Sequence, residues 1–362
     1  GLIQAISYYM SSSSNTNILV LQDPNPDPAT IWYVDENHDK VLLEELGEIN
    51  MGNYTSLRNF IAYSKKNFPA ERYMIVLWDH GMAWDGACIE ITNVTGGADH
   101  LTMDEMQMAL NESGGVNIIG FSACVMGCIE SAYELRDHTE VYFGSEEQNG
   151  YGSWPWHDIS TILDVNCNES TYDISKRFMD KFKEKNPYFG TIKQWKEAFE
   201  SSKIYNIVFY PPAFTMSAVR TDKLNNLVFS IDNLSKSLID NFKSLGKTID
   251  ISRFRCEDFP RPMLSYKPKE SMGSQIDIFD FVDKMNGFKS DLDKTINDVK
   301  ASLKEAILQE HHQIGHRNAH GLSIYFPCKG SFYTYNPLYY NCNLDFTDDT
   351  NWDEFLIEIF KR

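Results

Sequence analysis

Between residues 17 and 145 the chain alternates short, nearly continuous apolar runs with longer segments of helical periodicity. Runs that are apolar on both faces suit the strands of a mainly parallel sheet, because crossover helices cover both of its sides. They are NILVLQD (17 to 23), IWYV (31 to 34), RYMIVLW (72 to 78), VNIIGFS (116 to 122) and EVYFGS (140 to 145). Leu57, Phe60, Ile61 and Tyr63 predict a helix over 54 to 67, and Met126, Ile129, Ala132 and Tyr133 predict another over 126 to 137. After about residue 170 the helices lengthen, to 170–184, 222–245 and 289–310, with short strands at 214–220 and 321–327. The expected fold is α/β, a mainly parallel sheet sandwiched by helices with a helical C-terminal subdomain. Pro211 and Pro212 interrupt regular hydrogen bonding, so the boundary is placed there: a core of 1–212, and a subdomain of 213–362 packed on it.

Charge narrows the partners. With 33 basic against 51 acidic residues the net charge is −18, which argues against nucleic acid, whose binding relies on clustered Lys and Arg. No apolar run of about 18 residues predicts a membrane span. The opening GLIQAISYYM lacks the charged start of a signal segment. Seven cysteines are too few for a disulfide scaffold at 362 residues, no two form a CxxC pair, and their odd number leaves at least one thiol unpaired.

In open α/β sheets reactive groups gather at the carboxyl ends of the strands. RYMIVLWDHG places His80 and Gly81 just past one such end, and VNIIGFSAC places Cys124 just past another. If these strands are neighbours, an imidazole and a thiol share one rim. A thiol attacks as thiolate, so its ordinary pKa of about 8.5 must be lowered by a cation or a helix N-terminus. A helix starting near Met126 and the His80 imidazolium are the candidates. The N–H groups of Gly81 and Cys124 are candidate donors to an oxyanion. Taken singly, a strand-end cysteine is most often a packed hydrophobe and a lone histidine a satisfied polar group. The pair, each beside a small residue, is the less expected pattern.

On these residues the sequence resembles the clostripain family of cysteine peptidases, whose fold is caspase-like. His80-Gly81 and Ala123-Cys124 match its hallmark pairs. NFPAERYMIVLWDHGMAW (67 to 84), GSEEQNGYG (144 to 152), IDIFDFVDKM (276 to 285), GLSIYFP (321 to 327) and NWDEFL (351 to 356) match further along, in the same order. The resemblance implies an endopeptidase with Cys124 as nucleophile and His80 as general acid and base. It implies a monomer acting on a peptide or protein substrate, exported to the medium, periplasm or cell surface, with no metal needed for the chemistry. Calcium is the one ion it makes worth testing, at the acidic run Asp345, Asp348, Asp349, Asp353 and Glu354. A non-catalytic homologue that captures peptides in the same cleft is the alternative of a different class.

Two departures bear on specificity. Relatives that cut after Arg or Lys carry an acid two residues before the nucleophile, where this chain has Ser122, and a hydroxyl does not neutralise a desolvated guanidinium. Asp158 is the nearest carboxylate after the GYG triplet. No Lys or Arg occurs from Tyr73 through Leu135, which excludes self-cleavage after a basic residue between the two reactive side chains. The segment GGADHLTM (96 to 103) reads as an exposed loop. Glu146 and Glu147 are candidates to orient a substrate main chain, and Trp154 and Trp156 to wall its pocket. His311, His312, His316 and His320 have a spacing that would suit zinc on a helix, without the HExxH glutamate, so a structural cluster is the expectation.

Overall fold

The computed structural model describes residues 2–24, 27–91, 97–149, 153–187, 214–259, 274–328 and 338–361. Pro211-Pro212 and the GYG triplet lie outside them. Three strands, β1 (Ile18–Gln22), β2 (Ala29–Val34) and β3 (Lys40–Gly47), form an antiparallel sheet of their own. The 17–23 and 31–34 runs are therefore strands, but not strands of the parallel sheet. The sequence pattern also misses β3, because it is exposed along nearly its whole length and carries no buried stripe to read.

The central sheet has the order β12-β9-β8-β7-β4. β4 (Met74–Trp78), β7 (Ile118–Ser122) and β8 (Val141–Gly144) are parallel, β9 (Thr215–Arg220) pairs antiparallel with β8, and β12 (Ile307–His312) pairs antiparallel with β9. Between β4 and β7 lies a hairpin of β5 (Ala87–Glu90) and β6 (Asp99–Leu101), so part of the expected 96–103 loop is paired strand. β10 (Asp258–Phe259), β11 (Gln275–Asp277) and β13 (Ser323–Tyr325) form a small antiparallel sheet. Because β9 and β12 complete the central sheet, a division at 212/213 runs through it.

Alternation along the strands sends side chains to two apolar cores. Ile119, Phe121, Tyr142 and Val219 face the core built with helices Tyr54–Asn67, Met103–Ser113, Leu224–Asp240 and Ser290–Ala306. Ile118, Val141, Phe143, Met216 and Ala218 face the core built with helices Leu2–Tyr9, Trp156–Val165 and Thr171–Lys185. This is a helix-sheet-helix sandwich. Gly120 falls on the second face, where a Cβ would stand 2.4 Å from Trp154 Cη2. The Trp154 indole fills that gap and is 1% exposed, so Trp154→Ala is expected to lower stability by about 3–5 kcal/mol in urea unfolding. A loss under about 1 kcal/mol would refute this placement.

Helix Tyr54–Asn67 begins where predicted, with the Asn53 side chain accepting the Thr55 N–H. Three helical expectations are corrected. The one over 126–137 is only Ile129–Glu134, and the one over 222–245 divides into Leu224–Asp240 and Phe242–Arg255. The one over 289–310 stops at Ala306 and continues as β12, whose polar residues fit a sheet edge.

Candidate active site

Parallel pairing of β4 with β7 sets Trp78 opposite Ser122. His80 and Cys124 each lie two residues further on, so register carries both past the same end of adjacent strands. Strand alternation alone does not reach this far; the loops do the rest.

After β4 the chain turns into a tight hairpin. The Cys88 N–H donates to His80 O (3.0 Å) and the Met82 N–H to Gly86 O (2.8 Å), bracketing an antiparallel bridge between Gly81 and Ala87. In that pattern the N–H of Gly81 is not used by the hairpin and faces away from β5. On that other side lies Cys124. A Cβ on Gly81 would stand 2.1 Å from Cys124 O and 2.9 Å from Met126 Cγ, so only glycine lets the two backbones approach this closely. The Ser131 hydroxyl donates to Ala83 O (3.0 Å) and Trp84 packs edge-on against Tyr325 and Tyr339, which anchors the hairpin from beneath.

After β7 the chain turns at Cys124 and Val125 and then lies against the loop that follows β8. The Gly127 N–H donates to Ser145 O (2.7 Å), the Val125 N–H to Glu147 O (3.1 Å), and the Asn149 N–H to Cys124 Sγ (3.4 Å). A Cβ on Gly127 would be 2.7 Å from Glu146 N, so this contact too depends on a missing side chain. Among the described residues four non-glycines have positive φ, and three of them, Ala83 (56°), Cys88 (60°) and Val125 (54°), flank the site. For a β-branched residue such as Val125 that conformation is strained, and such strain is concentrated at functional sites.

The electrostatics differ from the expectation. Helix Ile129–Glu134 starts after Cys128, so Cys124 is not at a helix N-terminus. Burial pushes the half-buried Cys124 thiol up, the Asn149 amide opposes the rise, and the Glu147 charge adds to it. Burial thus disfavours the thiolate at this sulfur. His80 is exposed at the rim. Among the described residues the hydrogen-bond partner of the sulfur is the Asn149 amide, and neither the Gly81 nor the Cys124 N–H donates to another protein group.

Several sequence candidates are elsewhere engaged. Ser122 is half-buried at the end of β7. Glu146 (1% exposed) and Glu147 (3%) point inward, not toward a substrate. Glu146 accepts the Gly321 N–H (2.9 Å), and burial together with the Asp277 charge raises its pKa well above the carboxylate range. Trp154 and Trp156 stack at 5.1 Å in the second core, and Trp156 also lines the surface depression around Asp158. Trp156 also stacks on Trp78 at 5.8 Å. Asp158, with Tyr9, Lys181 and Lys185, lines a surface depression of about 340 Å³, and Lys181 lies 3.9 Å from its carboxylate.

The histidines do not share a helix face. His311 bonds Asn186 O from β12, His312 lies 3.1 Å from Glu310, His320 lies 3.1 Å from Asp277, and His316 is buried between Glu147 and Glu257. The acidic run is likewise divided among partners: Asp345 pairs with Arg136 (2.7 Å) and Asp349 accepts the Tyr133 hydroxyl (2.8 Å). All seven cysteines are free thiols, Cys88 and Cys128 among them. Sequence reading missed Asn149, Val125 and Glu257, and it placed His316 only in a structural histidine cluster. The doublet Glu146-Glu147 was the available signal for two of them, since two buried acids need partners.

A family model described as the clostripain family matches residues 3–358, nearly the whole chain. The chain belongs to the clostripain family. Clostripain of Hathewaya histolytica is 33% identical over 103 residues, 25% of this chain and 19% of that protein, so the match spans about a fifth of the curated relative's length. Two solved structures share the fold. A zymogen C11 protease of Parabacteroides distasonis, described as inactive, has a TM-score of 0.66 at 18% identity, covering 96% of this chain and 92% of its own. A secreted C11 cysteine protease of Bacteroides thetaiotaomicron, solved with an irreversible peptide inhibitor, has a TM-score of 0.65 at 16% identity, covering 93% and 89%. These clostripain-family likenesses support the caspase-like α/β sandwich inferred from sequence. Among the described residues no helix is long and apolar enough to cross a membrane.

Proposed function

We propose that this protein is a cysteine endopeptidase in which Cys124 attacks the scissile carbonyl and His80 moves the proton. The observation that carries the reading is the β4/β7 register, which sets both residues at one rim with the Gly81 backbone against Cys124 O. The Gly81 and Cys124 N–H groups, which donate to no group among the described residues, supply donors for the oxyanion that forms when sulfur adds to carbon. Because burial disfavours a free-standing thiolate, His80 takes the sulfur's proton as attack proceeds and then returns it to the leaving amine. Water hydrolyses the resulting thioester and regenerates the thiol. The substrate is a peptide or protein, met outside the cell as for the secreted relative.

Strict preference for Arg or Lys at the cut is not part of this reading. Ser122 offers a hydroxyl where a guanidinium would need a carboxylate, and the Asp158 charge is shared with Lys181. Calcium stays a ligand to be tested by titration, separate from the peptide chemistry.

The experiment is iodoacetamide labelling of Cys124, followed by mass spectrometry, alongside hydrolysis of denatured casein. Labelling is expected to abolish hydrolysis in proportion to the Cys124 modified. The raised thiol predicts slow labelling at pH 7 that climbs as pH passes the free-cysteine value of about 8.5. Cys88, which burial pushes to about 12, is expected to label more slowly still. Full hydrolysis after complete labelling would sink the nucleophile assignment. A labelling plateau already reached by pH 6 would instead show a preformed thiolate.

A further inference from the structure

His316 is a fully buried histidine that the proposed chemistry does not use. It ends the turn Ile314–His316 with 0% of its side chain exposed. Its Nε2 lies 2.8 Å from Glu147 Oε2 and its Nδ1 lies 3.0 Å from Glu257 Oε1. Both carboxylates are themselves 4% exposed or less. Nδ1 is hydrogen-bonded to Glu257, whereas Nε2 faces Glu147 at ion-pair distance without hydrogen-bond alignment, so the ring sits between two buried carboxylates whose charges favour the cation. Burial by itself would discharge this ring, but its contacts with Glu147 and Glu257 outweigh burial and raise its pKa. The Phe259 ring, 4.9 Å away, covers the ring from one side, and Glu257 Oε2 also accepts the Asn318 N–H (3.3 Å).

The clasp ends at the active site. Glu147 is the middle of the loop that grips the Cys124 strand. Its carbonyl accepts the Val125 N–H and the Ser145 hydroxyl (2.9 Å), its N–H donates to Thr215 Oγ1 (3.1 Å), and its Oε1 accepts the Gln148 N–H (2.7 Å). Two residues on, the Asn149 N–H reaches the sulfur. The Glu147 charge also acts on the sulfur, opposing its ionisation.

We propose that His316, clasped as an imidazolium between Glu147 and Glu257, is a positioning residue for Cys124: it fixes the loop that presents the Asn149 N–H to the sulfur and cancels the Glu147 charge beside it. The proposal rests on Cys124 being the nucleophile. It adds a buried cation that touches neither substrate nor sulfur yet sets both the place and the reactivity of the thiol.

The test compares His316→Gln, Glu147→Gln and the double variant with the unmodified chain and with Cys124→Ala, reading casein hydrolysis and the pH profile of Cys124 labelling. In His316→Gln the uncancelled Glu147 charge is expected to move the labelling profile to higher pH. Loop displacement is expected to lower kcat about 10²-fold with KM within about twofold, because the substrate does not meet this residue. Removing the second charge in the double variant is expected to bring the labelling profile back toward that of the unmodified chain, a rescue that mere destabilisation does not produce. Should His316→Gln fail to fold, Glu257→Gln weakens the clasp from its far side and is expected to shift the profile in the same direction, less far. An unmoved labelling profile and unchanged kcat, with Cys124→Ala inactive, would overturn the positioning role alone. Hydrolysis surviving in Cys124→Ala would overturn the nucleophile assignment and this role with it.

Discussion

Cys124→Ala is expected to abolish peptide hydrolysis while leaving the fold intact. The sulfur is the atom that forms the covalent bond, and no neighbouring hydroxyl or thiol takes its place: Cys128 is fully buried and bonded to Ser131, with its thiol pushed far up by burial. Removing a nucleophile that works as a unit with its base costs on the order of 10⁴-fold or more in kcat, equivalent to about 5 kcal/mol of transition-state stabilisation. Stability should change little. Cys124 is half-buried, and its loop is held by backbone bonds from Val125 and Gly127 that alanine keeps. The measurement is kcat on casein together with urea unfolding. Activity within about tenfold of the unmodified chain would remove Cys124 from the chemistry, since this reaction has no residual route of that efficiency.

Gly81→Ala is expected to be nearly as damaging, for a steric reason. Its Cβ would lie 2.1 Å from Cys124 O, a backbone atom that no rotamer change moves aside. Either the His80 hairpin or the Cys124 loop must retreat, and a displacement of about 1 Å between reacting groups costs about 10²-fold. Both segments are held elsewhere, the hairpin by Ala87 and Ser131 and the loop by Ser145 and Glu147. The strain should therefore appear as a stability loss of about 1–3 kcal/mol, as for overpacked cores. The checks are kcat/KM on casein and the urea midpoint. Unmodified kcat/KM would mean that the two backbones do not meet as described, and that Gly81 supplies no oxyanion donor.

The parallel core was legible because β4, β7 and β8 are apolar on both faces and sit between helices of clear periodicity, and the two reactive residues were legible because each follows such a run directly. β3 and β12 were not, since an exposed or edge strand buries no stripe that repeats every second residue. The shortened helix at Ile129 was hidden for a related reason. Met126 and Ile129 keep helical spacing, yet the turn at Val125 (φ 54°) and Gly127 against Glu146 keep that stretch out of the helix and against the next loop. Local propensity is a weak prior there and tertiary contact prevails.

Glu146 and Glu147 show the same limit at the level of function. In one dimension two acids beside a strand end look like substrate ligands; in three their carboxylates turn inward to Gly321 and His316, which lie more than 160 positions away in the chain. Trp154 and Trp156 likewise read as pocket walls; Trp154 proves to be core, lying over Gly120, and Trp156 stacks on it while also lining the depression beside Asp158. Composition, the apolar runs and the His80-Gly81 and Ala123-Cys124 pairs by themselves determined the fold class, the family and the candidate nucleophile and base, because each is written in neighbouring residues. Tertiary structure alone decided the burial that raises the thiol's pKa, the partner of its sulfur and the carboxylates around His316. Those depend on burial and on charges brought together from segments far apart in sequence, and no local pattern encodes the dielectric or the distance between them.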